Sequence, residues 1–373
     1  MRSMLDEAAI LRVLRSLLPH GLPPGKRGRA ACAASVRTFF AWQGGGTKDP
    51  LLTGPDLDAW AAAIHAALGA GTTGITVHTS GSTGAPCPRP QPWDRLEREV
   101  AHWALTASDR RRIVQHVPSH HVYGCIFTVL LPARLGIPVL DASALPPDQL
   151  AALLRDTDLL VAAPPLLAAL VPLLPRTPEG LVIVSAGAPL PWEIADALYE
   201  AGAVVHDIYG SAETGGVAVR THPATWHRLL PFWRGGQGGF AASVVGLDGV
   251  AVPLPDRVVW KGPDTLRLDG RKDVTVQVGG ADVYPARVAA FIAGHPMVAE
   301  CAVRLDTTLP QPRLKAAVVP RAEAPRDASR LVATLEAFCR AQLTGAEWPV
   351  RIDIMPALPR SLFGKAKDWD QAA

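Results

Sequence analysis

Ile75-Thr76-Val77-His78-Thr79-Ser80-Gly81-Ser82-Thr83-Gly84-Ala85-Pro86 opens the part of the chain whose pattern decides the fold. The first five residues form a β-type run, and they feed a loop made of glycines and hydroxyls. Such a loop leaves backbone N–H groups free to face an anion. Its hydroxyls add donors, and its glycines allow close approach. It is not a Walker loop, because the Gly-Lys-Ser/Thr ending is absent. Composition alone also allows a plain turn.

Downstream the chain alternates. A helix is expected around 93–107, a strand at 113–117, an apolar run at 127–135 and a strand at 138–140. Short apolar runs at 159–163, 181–185 and 203–208 alternate with helical patterns at 147–155, 164–174 and 190–201. This predicts an α/β fold with an open, mostly parallel sheet flanked by helices on both faces. Residues 230–270 read instead as short β segments punctuated by Gly and Pro, a small barrel or distorted sheet. Beyond Gly270 come a strand at 274–278, a helix near 285–294, a strand at 298–305, an apolar run at 314–319, a helix at 326–343 and a strand at 350–354. That is a compact α+β unit. Upstream, 5–19 and 55–69 read as helices. Two domains are therefore expected, 1–272 and 273–373.

Bulk properties exclude several classes. With 48% hydrophobic and 19% charged residues the chain is globular material, and a net charge of +3 with scattered basic residues gives no nucleic-acid footprint. Five cysteines without a CxxC pair fit neither a disulfide framework nor a zinc ribbon, and point to a reducing cytoplasm. The first twenty residues carry charges among helically spaced apolar positions, unlike a signal peptide. The apolar stretch 159–174 is broken by prolines and too short for a membrane span.

A second motif follows the 203–208 run: Asp207-Ile208-Tyr209-Gly210-Ser211-Ala212-Glu213-Thr214-Gly215-Gly216. It stands at the carboxyl end of a strand, where open parallel sheets bind ligands. A carboxylate there can hold Mg²⁺, and an aromatic ring can stack on a base. The alternative is a packing aromatic and a solvated acid.

Taken together, these segments resemble the adenylate-forming superfamily of acyl- and aryl-CoA ligases and peptide-synthetase adenylation domains. Residues 79–86 are similar to its phosphate loop, and Tyr209-Gly210 with Glu213 to its YG-x-TE element. Val184-Ser185-Ala186-Gly187-Ala188-Pro189-Leu190 looks like its adenine-side strand and loop. Pro118-Ser119-His120-His121-Val122-Tyr123-Gly124 resembles its Pro–His–aromatic–Gly segment. There His121 matches better than His120, and the aromatic position gates the acyl pocket. Gly270-Arg271-Lys272-Asp273 looks like its hinge, with Asp256 fifteen residues upstream of Arg271 at the ribose-binding position. Leu358-Pro359-Arg360-Ser361-Leu362-Phe363-Gly364-Lys365 resembles its terminal loop, where Lys365 matches better than Lys367. Six elements in the family's order span residues 75–368.

The resemblance implies a mechanism. Thr79, Ser80, Gly81, Ser82, Thr83 and Gly84 would hold the ATP phosphates. Gly187, Ala188, Pro189, Asp207, Tyr209, Gly210 and Ser211 would line the adenine and acyl pockets, with Asp256 and Arg271 on the ribose. Glu213 would carry Mg²⁺, and Lys365, Glu213 and His121 would be the catalytic groups. Rotation of 273–373 about Asp273 would withdraw Lys365 and admit a thiol. The substrate would be a small aryl or medium acyl carboxylic acid. The acceptor would be coenzyme A or the phosphopantetheine arm of an acyl carrier protein.

Departures from the pattern are specific. Cys87 stands where the phosphate loop usually carries lysine, and Gln277 also replaces a common lysine. Ala212 replaces a hydroxyl residue, a loss worth about 3 kcal/mol of transition-state stabilisation. The region before the phosphate loop is abbreviated, and a homo-oligomer would cover the face this leaves open. Two other readings compete: a degenerate binder of nucleotide or carrier protein without turnover, and an adenylate-forming enzyme with a non-thiol acceptor.

Overall fold

The computed structural model describes residues 5–42, 49–69, 73–79, 87–236, 242–271, 276–278, 281–306, 308–309, 312–325, 327–360 and 369. The chain forms two compact units. The first comprises residues 1–237, 243–253 and 260–267; the second comprises 238–242, 254–259 and 268–373.

Within the first unit, strands β1 (Gly74–Thr79) and β2 (Cys87–Pro92) pair antiparallel as a separate hairpin, with Thr79 opposite Cys87 and Val77 opposite Arg89. The 75–79 strand thus stands apart from the large sheet. Pro88, Pro90 and Pro92 have no N–H to donate, so β2 can serve only as an edge. The large sheet begins at β3 (Arg112–Gln115) and continues with β4 (Val139–Asp141), β5 (Asp158–Ala162), β6 (Val182–Ser185), β7 (Val204–Ser211), β8 (Gly215–Thr221) and β9 (His227–Leu229). From β9 its order runs β9-β8-β7-β6-β5-β3-β4, and the start of strand Thr265–Arg271 pairs antiparallel with β9 on the other side. Pairing is parallel from β4 through β7 and antiparallel from β7 to β9. All five residues of β5 are buried, as expected of a strand covered on both faces.

Helices Pro147–Leu153, Pro164–Leu170 and Trp192–Glu200 lie between these strands in sequence. Their apolar faces pack Leu150, Leu167, Leu170 and Leu198 against Val114, Leu160, Ile183 and Val205. The apolar 127–135 run is helical, and it belongs to three consecutive helical segments, Val122–Cys125, Ile126–Leu130 and Leu131–Leu135. Helices Glu7–Leu17 and Leu57–Gly69 fall where the periodicity placed them, and they pack on each other. Lys26–Phe39 is a further helix that periodicity does not announce, since it buries only Ala33, Val36 and Phe39. Tertiary anchoring supports it: Arg29 Nη1 donates to Gly54 O at 2.8 Å. Short antiparallel strands β10 (Trp233–Gly235), β11 (Ser243–Gly246) and β12 (Ala251–Pro253) occupy the Gly- and Pro-punctuated stretch.

In the second unit, Val298–Asp306 pairs antiparallel with Arg313–Pro320, which pairs parallel with Arg351–Ile354. Helices Pro285–Ala293 and Ala328–Gln342 bury Val288, Ile292, Leu331 and Leu335 with Leu314, Ala316 and Val318 of those strands. Phe291 and Phe338 stack at 4.6 Å. Trp369 packs with Leu358, Ala302 and Ala317, and donates its indole N–H to Asp353 Oδ2 at 2.7 Å. Among the described residues, Cys32, Cys125, Cys301 and Cys339 are free thiols. No described helix is long and apolar enough to cross a membrane.

The amino ends of the parallel strands are stitched by charge. Arg110 Nη1 donates to the carbonyls of Asp156 (3.0 Å) and Gly180 (2.5 Å), while Arg112 grips the fully buried Asp158 carboxylate at 2.8 and 2.7 Å. Arg110 Nη1 also reaches the buried Asp158 O at 3.4 Å, and a buried carbonyl stripped of its donor is costly. Replacing Arg110 with Met should therefore lower stability by about 3 kcal/mol. Urea unfolding checks this, and a loss within experimental error would show that the carbonyls find other partners.

Candidate active site

The carboxyl ends of β3, β6 and β7 bring together most of the described residues singled out by sequence. The chain reverses between β7 and β8 through a tight turn. Tyr209 is buried on β7, the ladder shifts register between Tyr209 and Gly210, and Ser211 ends the strand opposite Gly215. Within the turn, Ser211 N donates to Thr214 Oγ1 at 3.1 Å and Glu213 N donates to Ser211 Oγ at 3.2 Å. These local bonds satisfy backbone groups that the sheet cannot reach. Gly215 takes φ +67°, and a side-chain carbon on Gly216 would collide with the Glu99 carboxylate, so the double glycine is a steric requirement.

Residues distant in sequence hold this turn. Gln91 Nε2 donates to Ala212 O and Arg95 Nη1 donates to Glu213 O, each at 2.6 Å. Glu99, fully buried, accepts from Gly216 N on both carboxylate oxygens (3.1 and 3.0 Å) and from Trp103 Nε1 at 3.4 Å. Burial outweighs these donors and pushes the Glu99 carboxyl up to about 7. On the same residue, Trp233 Nε1 donates to Gly216 O at 2.8 Å. The Glu213 carboxylate faces outward and lies 3.0 Å from Arg89 Nε.

Asp207, two residues before Tyr209 on β7, is buried and paired twice. Arg220 Nη2 reaches its Oδ2 at 2.8 Å and His227 Nε2 at 3.3 Å. The Arg220 Nη2 also donates to Leu190 O at 3.0 Å, and its guanidinium lies over the Trp192 ring at 5.6 Å. Asp207 thereby fixes the loop carrying Gly187, Ala188 and Pro189 after β6. In that loop Gly187 and Pro189 are exposed, and Ala188 is half-buried. Tyr209 and His227 rings meet edge to face at 6.4 Å.

After β3, the two histidines have different surroundings. His120 Nδ1 is 2.8 Å from Ser16 Oγ in the first helix, whereas His121 stands at the start of the 122–125 helix; their rings lie 4.6 Å apart. The Tyr123 hydroxyl donates to Val184 O at 2.6 Å, with Ala162 O at 3.4 Å, so the phenol closes over the ends of β5 and β6. Burial raises its pKa well above that of free tyrosine. Phe127 packs on Trp103 (5.0 Å) and Tyr123 (5.3 Å) as a core residue.

Thr79 ends β1 at the mouth of the hairpin. Ser80, Gly81, Ser82, Thr83 and Gly84 lie outside the described residues, as do Asp273 and Lys365. Asp256 and Arg271 belong to the second unit, at the start of strand Asp256–Trp260 and the end of strand Thr265–Arg271. No cluster of three or more metal-binding side chains exists among the described residues. Glu213 offers one half-exposed hard oxygen donor, which fits Mg²⁺, an ion that keeps several waters and takes one or two carboxylates plus phosphates. Sequence reading missed Arg89, Gln91, Arg95, Glu99, Arg220 and His227. The only available signal was Glu99, a lone acid on the inward side of an amphipathic helix.

Two family models match. Residues 47–234 match the AMP-binding enzyme model and residues 287–365 match the AMP-binding enzyme C-terminal domain. The chain is 37% identical over 348 residues to a 4-coumarate–CoA ligase of Rhodobacter capsulatus, covering 90% of this chain and 87% of that one. It is 33% identical over 394 residues to a 4-coumarate–CoA ligase of Halorhodospira halophila, covering 97% and 99%. In fold it is similar to ATP-bound MatB from Rhodopseudomonas palustris, with a TM-score of 0.67, 19% identity, and coverage of 92% and 76%.

Glu99 makes the turn's stability depend on pH. Its folded pKa lies above the ordinary value of 4.5, so its contribution is complete below about pH 4.5 and is lost as pH rises through about 7. Relative to Glu99→Gln, wild-type stability should fall by roughly 2 kcal/mol between about pH 5 and about pH 8. Parallel denaturant curves at the two pH values measure it; an unchanged difference would mean the carboxyl is ionised throughout.

Proposed function

This chain belongs to the AMP-binding enzyme family, and we propose that it joins an arylpropenoic acid of the 4-coumarate kind to coenzyme A. It is an ATP-dependent acid:thiol ligase that forms an acyl-adenylate and passes the acyl group to a thiol. The observation that carries the substrate class is identity of 37% and 33% with two 4-coumarate–CoA ligases along nearly the whole of each chain.

The chemistry explains why the site needs its parts. A carboxylate must attack the α-phosphate of ATP, so two anions must meet. Catalysis then consists of holding them in line and neutralising charge as it develops. In this reading the side chain of Lys365 bridges the carboxylate and the α-phosphate. Residues 79–84 hold the departing pyrophosphate, and Glu213 holds Mg²⁺, which offsets phosphate charge when bound. Asp207, Tyr209, Gly210 and Ser211 with Gly187, Ala188 and Pro189 receive adenine and the acyl group. Asp256 and Arg271 take the ribose, and His121 and Tyr123 border the acyl entry.

The second half-reaction needs the lysine gone and a thiol admitted. Residues 273–373 supply this as a lid domain turning about Asp273, with residues 1–272 as the fixed partner. Coenzyme A is the acceptor; the phosphopantetheine arm of a carrier protein presents the same thiol and would differ only in how the entrance recognises it.

Acid-dependent ATP–pyrophosphate exchange tests the first half-reaction. An arylpropenoic acid should stimulate it more than any fatty acid, and Lys365→Ala should lower it by about 10²–10³-fold. Exchange that is unchanged in that variant would remove the lysine from the mechanism. Asp273→Pro should spare exchange and abolish thioester formation, followed by chromatography of the acyl-CoA. Equal loss of both reactions would refute a hinge there.

A further inference from the structure

The carboxylate assigned to Mg²⁺ already has a cation on it. Arg89 Nε lies 3.0 Å from Glu213 Oε1, with 42% and 36% of the two side chains exposed. Arg89 Nε itself is shielded from water and makes no aligned hydrogen bond, and a pair whose side chains are this exposed contributes little to stability. Arg95 and Gln91 differ in kind, because they grip main-chain carbonyls of the turn and have no reason to leave them.

Arg89 is also well placed for another anion. Alternate residues on a strand share a face. Arg89 therefore shares its face of β2 with Gln91, which reaches the Glu213 turn. From Gly74 to Pro92 the sequence contains no lysine and no other arginine. The hairpin whose connecting residues the proposed function assigns to the phosphates thus contains a single permanent cation. A guanidinium is the side chain whose fork of donors matches phosphate oxygens.

We infer that Arg89 is a ligand of the nucleotide's β- and γ-phosphates, held on Glu213 until Mg²⁺ and the triphosphate arrive together. Glu213 would hold the divalent ion when it is bound, and the guanidinium, released from that carboxylate, would turn to the phosphate tail. One carboxylate thus serves as counter-ion to Arg89 in the free enzyme and as metal ligand in the complex. This inference rests on the ATP-dependent reading of the site.

Calorimetric titration with ATP, and separately with AMP, tests it without turnover. AMP has no β- or γ-phosphate. Arg89→Gln should weaken ATP by about tenfold or more and leave AMP within about twofold. Glu213→Gln frees the guanidinium, so it should tighten metal-free ATP several-fold, and the double variant should lose that gain. Should Arg89→Gln prove unstable by circular dichroism, Arg89→Met keeps the aliphatic stem and repeats the titration. ATP affinity unchanged or increased on removing Arg89 would reduce it to a counter-ion of Glu213 and overturn the inference. Equal losses for ATP and AMP would also overturn it, by making Arg89 structural. Failure of the wild type to bind Mg·ATP would instead defeat the ligase reading itself.

Discussion

The site depends on two side chains of the β2 edge and the helix after it, Gln91 and Arg95, donating to the main-chain carbonyls of Ala212 and Glu213. They tie a hairpin to a turn more than a hundred residues further along the chain. Without that tie, the β1–β2 hairpin would be a two-stranded ribbon, marginal on its own in water. With it, the hairpin that carries the Ser/Gly loop and the turn that carries Glu213 form one object.

Charge is distributed unequally over the large sheet. At the amino ends, Arg110 and Arg112 are spent on structure, because the carbonyls there and the buried Asp158 demand donors. At the carboxyl ends, Asp207 is fully engaged by Arg220 and His227, and through Arg220 it sets the loop after β6. Glu213 points an acid toward water there, and its partner is a comparably exposed arginine. A parallel sheet concentrates ligand chemistry at this edge because loops, not strands, can present free donors.

Glu99 shows a different use of a carboxyl. Gly216 N–H needs an acceptor, and the helix after β2 supplies an acid for it. Burial makes ionisation costly, and the two glycines beside it leave the room that a side chain would close. The glycines that sequence reading took as part of a nucleotide motif are thus also packing residues.

Local pattern determined much about this protein. The strand–helix alternation from 113 to 208, the second α+β unit, and the loop-and-turn motifs at 79–86 and 207–216 were legible because periodicity and turn chemistry are properties of neighbours in the chain. The helix Lys26–Phe39 was not, since its few apolar positions are stabilised from outside it. Nor was the hairpin's separation from the sheet, or the pairing of Arg89 with Glu213, or the grip of Glu99 on Gly216. Those contacts join residues about 120 apart, and an ion pair or a buried hydrogen bond leaves no period in the sequence. Only folding brings such groups within reach, and so only the tertiary structure decides which charges are fixed and which remain free to change partners.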